Sequence, residues 1–564
     1  MLDGLKIDRR NVVSDLVAGA TFAIVNVPQG MANAVLATVN PVAGLYALMV
    51  AMPVGAIFTS SVFMNVSTTG ALSVAVGEAL YGVEDDRKIG ALIGLVMMIG
   101  MVQLIFGLLR MGRLVRYVSN SVMTGFITGI AALIILGSIP DITRFESAQP
   151  NHLLRLSDTA LNWRSFDTAS VTIGVATIVL IFLIQQTRLS KFSLILALGA
   201  TTGLATLFQG GSIVLVKDVA IIPRSLPTPM LPDLSYFPEL ILPAIAIAVI
   251  GLVQGAGVGQ SYPNPDGRFP DTSRDFVGQG AANLTASVFG SIPSGGSMSG
   301  TAVSVQAGAC SRWSNIFAGV TVVLIVFLFV DMVKLVPMAG LGGLLFVVGV
   351  QNVQPKSIAV IWRTGTMARA GFTATLVATL LLPLQFAILL GIAISFVLQI
   401  LRSANQIEVR QISLVEGGFP IERPGASALE EGEITVLRIR GELFFASAQA
   451  LEAQLPEADT GRHSVVLLVL RDVDDLGSTI IRLLSRYSKE LEHHDSKLVL
   501  TGVNNKLQGQ LKRTGLLKRL SQESIFEEQP EIGAALNDAM EQSRIWIDAK
   551  RSQSSSISGS EGRK

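Results

Sequence analysis

The chain has 564 residues, 50% of them apolar and 15% charged, with a formal net charge of +1 and a mean hydropathy of +0.54. Charged residues crowd into the ends, a few loops and the last third, a distribution that fits a polytopic membrane protein followed by a soluble domain and gives no sign of nucleic-acid binding. Cys310 is the only cysteine, which excludes an intrachain disulfide and leaves no zinc or iron-sulfur ligand set.

The opening stretch, "MLDGLKIDRRNVVSDLVAG", is basic but lacks an apolar core followed by a small-residue cleavage site. It predicts a retained first span after a short N-terminal segment, residues 1–11, rather than a cleaved signal. From Val12 to about Leu401 apolar blocks recur, each of roughly 18 to 25 residues, enough to cross a hydrocarbon core of about 30 Å. About fourteen such spans fit the transmembrane region, residues 12–402, and the basic residues orient them. With the N-terminus inside, inner loops carry Arg110, Arg113 and Arg116, then Arg188 and Lys191, Arg268 and Arg274, Arg312, and Lys356, Arg363 and Arg369. An even count places both chain ends in the cytoplasm. The outer loop of residues 141–167 carries Arg144, Arg155 and Arg164 against this bias.

Two blocks depart from plain apolar helix. "VFMNVSTTGALSVAVG" (Val62 to Gly77) forms the predicted third span and "GSIPSGGSMSGTAVSVQAGACSR" (Gly290 to Arg312) the tenth. Each joins a small, polar, Gly-containing lead to an Ala/Val/Ser helical tail. An offset of seven spans inverts the second copy, the pattern expected of inverted repeats whose broken helices meet at the bilayer midplane. Close helix packing through small residues is the simpler reading of one such run; a matched pair at related positions favours a binding site. Non-helical backbone at that depth must be buried in protein or line a cavity. Two half-helices aimed at one point would present free N–H groups and partial positive charge, an anion site needing no cationic side chain.

Ionisable residues are scarce in the spans. Asp15, Glu78, Asp331 and Lys334 fall near span ends, where interfacial or local ion-pair roles are expected, and His152, His463, His493 and His494 lie outside the apolar blocks. No P-loop, Ser/His/Asp set or metal cluster is present, and "GAGVG" (Gly255 to Gly259) lies inside an apolar block rather than after a strand, so an enzyme is not expected.

Beyond Leu401, residues 403–432 read as a polar connection and the start of a soluble domain. Residues 433–545 alternate β-branched runs with amphipathic stretches, as in a small α/β domain. Residues 546–564, ending in "RSQSSSISGSEGRK", have no core-forming pattern and are expected to be disordered.

Three of these motifs carry a resemblance. "VPQGMANAVLATVNPVAGLY" (Val27 to Tyr46) is similar to the first-span signature of the sulfate permease and anion transporter (SulP) family, "RDFVGQGAANLTASVFGSIPSGGSMSGTAVSVQAGACSR" (Arg274 to Arg312) to its ninth and tenth spans, and "GELFFASA" (Gly441 to Ala448) to the STAS domain that follows them. The resemblance implies fourteen spans in two inverted repeats of seven, the uracil-transporter-like fold with core and gate domains, homodimers, and cargo such as sulfate, bicarbonate, chloride or dicarboxylates. It aligns Gln29 and Asn33 of the first span, Thr69, Gly70 and Ala71 of the third, Gln254 of the eighth, and Ser299, Gly300 and Thr301 of the tenth with substrate positions. Many animal members have Arg where this chain has Gly300. Transporters coupled to a cation usually have Glu or Asp where this chain has Gln254, an amide that cannot titrate and is a weaker ligand; whether the coupling ion is Na⁺ or H⁺ therefore stays open, beside an uncoupled channel or exchanger. In the STAS segment "GSTI" (Gly477 to Ile480) stands where relatives have a phosphorylatable motif, so Ser478 and Thr479 are the candidate acceptors, and a cytoplasmic regulator is a candidate partner. A sensor or scaffold with little transport, and a nucleobase carrier of the same fold, are the remaining alternatives; the latter lacks its expected pair of carboxylates.

Overall fold

The computed structural model describes residues 10–561 except 114–118, 146, 148, 150–151, 207–212, 220–221, 223, 405 and 414–418. Arg116 and residues 1–9 thus lie outside the described residues. The chain divides into two compact units, Met1–Phe396 and Val397–Lys564.

In the first unit we label α1 (Val12–Leu36), α2 (Val42–Phe58, with a π-helical turn at Ala47–Ala51), β1 (Asn65–Ser67), α3 (Gly70–Ala79), α4 (Lys88–Leu108), α5 (Asn120–Thr143), α6 (Thr168–Gln185) and α7 (Ser193–Ala205). The second half repeats the order with α8 (Phe237–Ser261), α9 (Thr272–Ser287), β2 (Gly295–Ser297), α10 (Met298–Gln306), α11 (Trp313–Lys334), α12 (Met338–Asn352), α13 (Thr366–Leu381) and α14 (Leu384–Ala404). Among the described residues, eight helices are long and apolar enough to cross a membrane. The others are shorter or more polar, and α3 and α10 occupy corresponding places seven helices apart, each preceded by a three-residue strand.

The helices sort into two groups. Helix α4 packs most extensively on α9 and α8, and α1 on α11; α5 packs on α12 and α13, and α6 on α7 and α12. The first group, α1–α4 with α8–α11, is the core and the second the gate. Bare backbone makes the tightest contact possible: a Cβ at Gly100 of α4 would lie 2.7 Å from the Leu284 nitrogen, and one at Gly280 of α9 2.6 Å from that of Leu104. Small residues let membrane helices approach in this way where lipid supplies no hydrophobic drive between them.

The two strands explain how non-helical backbone survives inside the core. β1 and β2 pair antiparallel, Asn65 opposite Ser297 and Ser67 opposite Gly295. Polar side chains complete the accounting that burial demands. Asn283 of α9 accepts from the Ser294 N–H at 2.7 Å and donates to the Ser294 carbonyl at 2.8 Å and to Gln103 at 2.7 Å. Gln279 accepts from the Gly296 N–H at 3.3 Å. On the other strand the Asn65 N–H donates to Thr301 Oγ1 and its side chain to Asn315, each at 3.0 Å.

The charged residues of the span ends are more engaged than the sequence suggests. Asp15 is buried and accepts from the Cys310 and Ser311 N–H groups at 2.7 and 2.9 Å, tying the start of α1 to the segment before α11. Asp331 pairs with Arg224 and, at 3.5 Å, with Lys334, as a local ion pair would.

The second unit is a six-stranded sheet of order β4-β3-β5-β6-β7-β8, in which β3 (Glu408–Ser413), β4 (Ile421–Pro424) and β5 (Ile434–Arg440) are antiparallel neighbours. The strands β6 (Val465–Val469), β7 (Lys497–Val503) and β8 (Ile525–Glu527) continue it in parallel. Helices α15 (Ser478–His493), α16 (Asn505–Thr514) and α17 (Ala534–Glu561) accompany the sheet. Residues 403–432 therefore contain two strands. Helix α17 runs on through residues 546–561 of the segment expected as a tail, and residues 562–564 lie outside the described residues. Ala535, Ala539, Ser543 and Ile547, four apart, are buried, giving the helix a seam against the sheet from which it propagates into the Ser-rich run.

Candidate functional site

Both half-helices begin at side-chain caps. Thr69 is the N-cap of α3, its hydroxyl accepting from Leu72 N–H at 3.4 Å, and Ser297 is the N-cap of α10, accepting from Gly300 N–H at 3.0 Å. Each cap satisfies the third amide of its helix. The first two, Gly70 and Ala71 in one and Met298 and Ser299 in the other, have no partner within the helix, as at any helix start. Because β1 and β2 are paired, these two amide-bearing ends are held side by side.

They face a cavity of about 190 Å³, roomy enough for several waters or a small anion. The core side is lined by Gln29 of α1, Thr68 to Ala71, Gln254 and Gly257 of α8, and Gly296 to Ser299. The gate side is mainly apolar, with Val122, Phe126 and Ile130 of α5, Val348 of α12 and Ile388 of α14; Asn352, Gln354 and Thr375 add polar atoms. Among the described residues, none that lines the cavity carries a charge. What favours an anion here is the summed dipole of two helix ends, about half a positive charge each, in a low-dielectric wall.

Gln254 is tied into this arrangement. Thr69 Oγ1 donates to Gln254 Oε1 at 3.1 Å, which links α3 to α8 and leaves the Gln254 amide N–H groups as donors. Pro28 interrupts the α1 hydrogen-bond ladder one residue before Gln29.

Of the nine substrate positions the resemblance marks, six line the cavity: Gln29, Thr69, Gly70, Ala71, Gln254 and Ser299. Asn33 stands behind it, fully buried, donating to Thr68 Oγ1 at 3.0 Å, with its own Oδ1 unbonded. Thr301 is buried too, its hydroxyl donating to the Ser297 carbonyl at 2.7 Å and accepting from Asn65 N–H. Gly300 is a packing position, since a Cβ there would lie 2.9 Å from the Phe22 ring. Sequence reading passed over Thr68 and Ser297. A Ser before the helical tail, immediately after the Gly295–Gly296 pair, was the available cap signal for Ser297; the apolar gate wall carried no signal in spans that are apolar throughout.

A polar contact joins the two groups away from the cavity. Glu78, near the C-terminal end of α3, accepts from the Leu384 N–H at 2.8 Å, placing its carboxylate on the first amide of α14. Any sliding of core on gate at this end must break that bond.

In the second unit Ser478 is exposed and Thr479 half-buried at the start of α15. Asp472, Asp474 and Asp475 precede them and are bonded to Arg438, Asn504 and Gln510.

Two half-helices directed into a cavity between two helix groups, in repeated order, define a transporter of the inverted-repeat class. Residues 12–378 match the sulfate permease family and residues 426–531 the STAS domain, and the chain belongs to the sulfate permease family. It is 26% identical over 525 residues to the putative sulfate transporter YvdB of Bacillus subtilis, covering 92% of this chain and 96% of that one. To the bicarbonate transporter BicA of Synechocystis it is 23% identical over 553 residues, 95% of each chain. Its fold is that of the murine solute carrier 26 member A9 anion transporter in the inward-facing state, with a TM-score of 0.83 at 16% identity over 96% of this chain and 93% of that one. The transmembrane domain of BicA superposes at a TM-score of 0.59 and 20% identity, over 69% of this chain and 98% of that one. The chain is thus a multi-pass membrane protein with the core-and-gate fold and a C-terminal STAS domain.

Proposed function

We propose that this protein is a secondary transporter of a small oxyanion, with sulfate, bicarbonate and dicarboxylates as the candidate cargo, and that it works by movement of the core against the gate. The observation that carries the reading is the pair of N-termini of α3 and α10, whose unpartnered amides line a charge-free cavity between the two groups. The names of the relatives support the same cargo class. Fourteen spans, cytoplasmic termini in the cell membrane, a homodimer and a regulatory role for the STAS domain, with Ser478 and Thr479 as acceptors, complete the proposal.

A second reading, an uncoupled exchanger or channel, is favoured by one observation: Gln254, bonded to Thr69, puts a neutral amide where cation-coupled relatives usually have a carboxylate. Proteoliposomes decide between them. Uptake of labelled sulfate, bicarbonate or a dicarboxylate is expected to saturate and to be competed by the unlabelled anion; accumulation that collapses with an imposed Na⁺ or proton gradient identifies coupling. Absence of uptake for all three anions contradicts the transport reading and leaves the sensor or scaffold.

A further inference from the structure

A second recess, of about 380 Å³, lies where the end of α4 meets α8 and the start of α9, outside the transport cavity. Arg110, Arg113, Gln260, Thr272 and Ser273 contribute donors to it, and Asp271 is the one carboxylate among its described lining residues. That carboxylate is already engaged as the N-cap of α9, accepting from Ser273 and Arg274 N–H at 2.9 and 3.4 Å. Neither guanidinium forms an ion pair among the described residues, and both arginines are exposed. Two cations against one occupied carboxylate leave the recess positive.

What lies beside the recess identifies the kind of anion. Met101, Ile105, Leu108 and Leu109 are 39%, 51%, 67% and 67% exposed, and their spacing places them on one face of α4 and its last turn. This apolar stripe runs along a membrane helix and ends at Arg110. A soluble anion has no use for it, whereas a phospholipid needs both parts, an apolar track for its chains and a cationic recess for its phosphate. Basic pockets between helix ends at a membrane surface suit anionic headgroups in this way. We propose that the recess formed by Arg110, Arg113 and the start of α9 binds the phosphate headgroup of an anionic phospholipid, whose chains lie along the exposed face of α4. The site is distinct from the transport cavity and independent of which anion is carried.

The test uses the full chain in nanodiscs of phosphatidylglycerol and phosphatidylcholine, extracted in mild detergent, with the retained lipid measured by native mass spectrometry. Phosphatidylglycerol is expected to be retained over phosphatidylcholine by about fivefold per guanidinium. Arg110→Gln/Arg113→Gln is expected to bring the two lipids to parity while Arg188→Gln, in another loop, changes nothing; Arg113→Gln alone gives an intermediate ratio and serves if the double variant does not fold. Equal retention of both lipids by the wild type, or an unchanged ratio in the folded double variant, overturns the proposal. Displacement of the lipid by millimolar inorganic phosphate would assign the recess to a soluble phosphate instead, and likewise overturn it.

Discussion

Replacing Ser299 by phenylalanine is expected to reduce anion uptake to background while leaving the protein folded. Ser299 is the second residue of α10 and is open to the cavity, so its side chain can grow only into the space the anion would use. The cavity is about 190 Å³, and an aromatic ring there stands over the α10 amides and takes up much of the space beside them. Substitutions that leave buried partners intact typically change stability by less than about 0.5 kcal/mol, so the thermal transition should hardly move. The contrast is Thr301→Val, two residues further along α10 and on its buried side. Thr301 is buried, and its hydroxyl serves Asn65 N–H and the Ser297 carbonyl. Removing it strands the Asn65 amide, at a cost of about 1–3 kcal/mol, so this variant should lose stability first and transport only as far as the β1–β2 pairing loosens. Uptake and thermal unfolding measured together separate the two: a Ser299→Phe protein that still transports at the wild-type rate would remove the cavity from the pathway.

Gln254→Glu is expected to make uptake depend on a proton or Na⁺ gradient beyond any dependence of the wild type. The change is isosteric, and the new carboxylate can still accept from Thr69 Oγ1, as the amide oxygen does at 3.1 Å. It adds a negative charge to a cavity whose lining has none. At an effective dielectric near 20, repulsion between that charge and an anion a few ångströms away is on the order of 3 kcal/mol, or about a hundredfold in affinity. A proton or Na⁺ on the carboxylate cancels it, so the variant's uptake should rise as pH falls or Na⁺ increases. The measurement is uptake in proteoliposomes with each gradient imposed separately. A variant with unaltered gradient dependence and unaltered rate would place the anion away from Gln254.

The pairing of "VFMNVSTTGALSVAVG" with "GSIPSGGSMSGT" was legible because two runs of small polar residues are conspicuous between apolar blocks. Their offset of seven spans also predicted opposed orientation, and α3 and α10 occupy those places. The joining of β1 to β2 was not legible, since three-residue strands carry no periodicity; what fixes them is a set of contacts from Gln279 and Asn283 of α9 and from Asn315 of α11, which reaches the Met64 carbonyl beside β1 from far along the chain. The resemblance marked whole motifs, and the structure sorts their residues: Ser299 lines the cavity while Gly300 and Thr301, next along the same helix, turn toward Phe22 and Asn65. A helix rotates its side chains by about 100° per residue, so adjacent motif positions cannot all face one ligand. The gate wall stayed hidden for a different reason: Phe126, Ile130 and Val348 lie in helices apolar on every side, where the composition does not mark the face toward the cavity. In the soluble unit the α17 seam of Ala535, Ala539, Ser543 and Ile547 is built of small residues and escaped a reading keyed to large apolar ones.

The central claim is that backbone amides at the two helix ends, rather than a cationic side chain, hold the anion. It is tested most directly by titrating sulfate, bicarbonate and a dicarboxylate into nanodisc-embedded protein labelled with ¹⁵N, following the amides of Gly70, Ala71, Met298 and Ser299. These four signals are expected to shift together and saturably with the transported anion, and to stay still in a folded Ser299→Phe variant. Transport of an anion that leaves all four unmoved would contradict the claim.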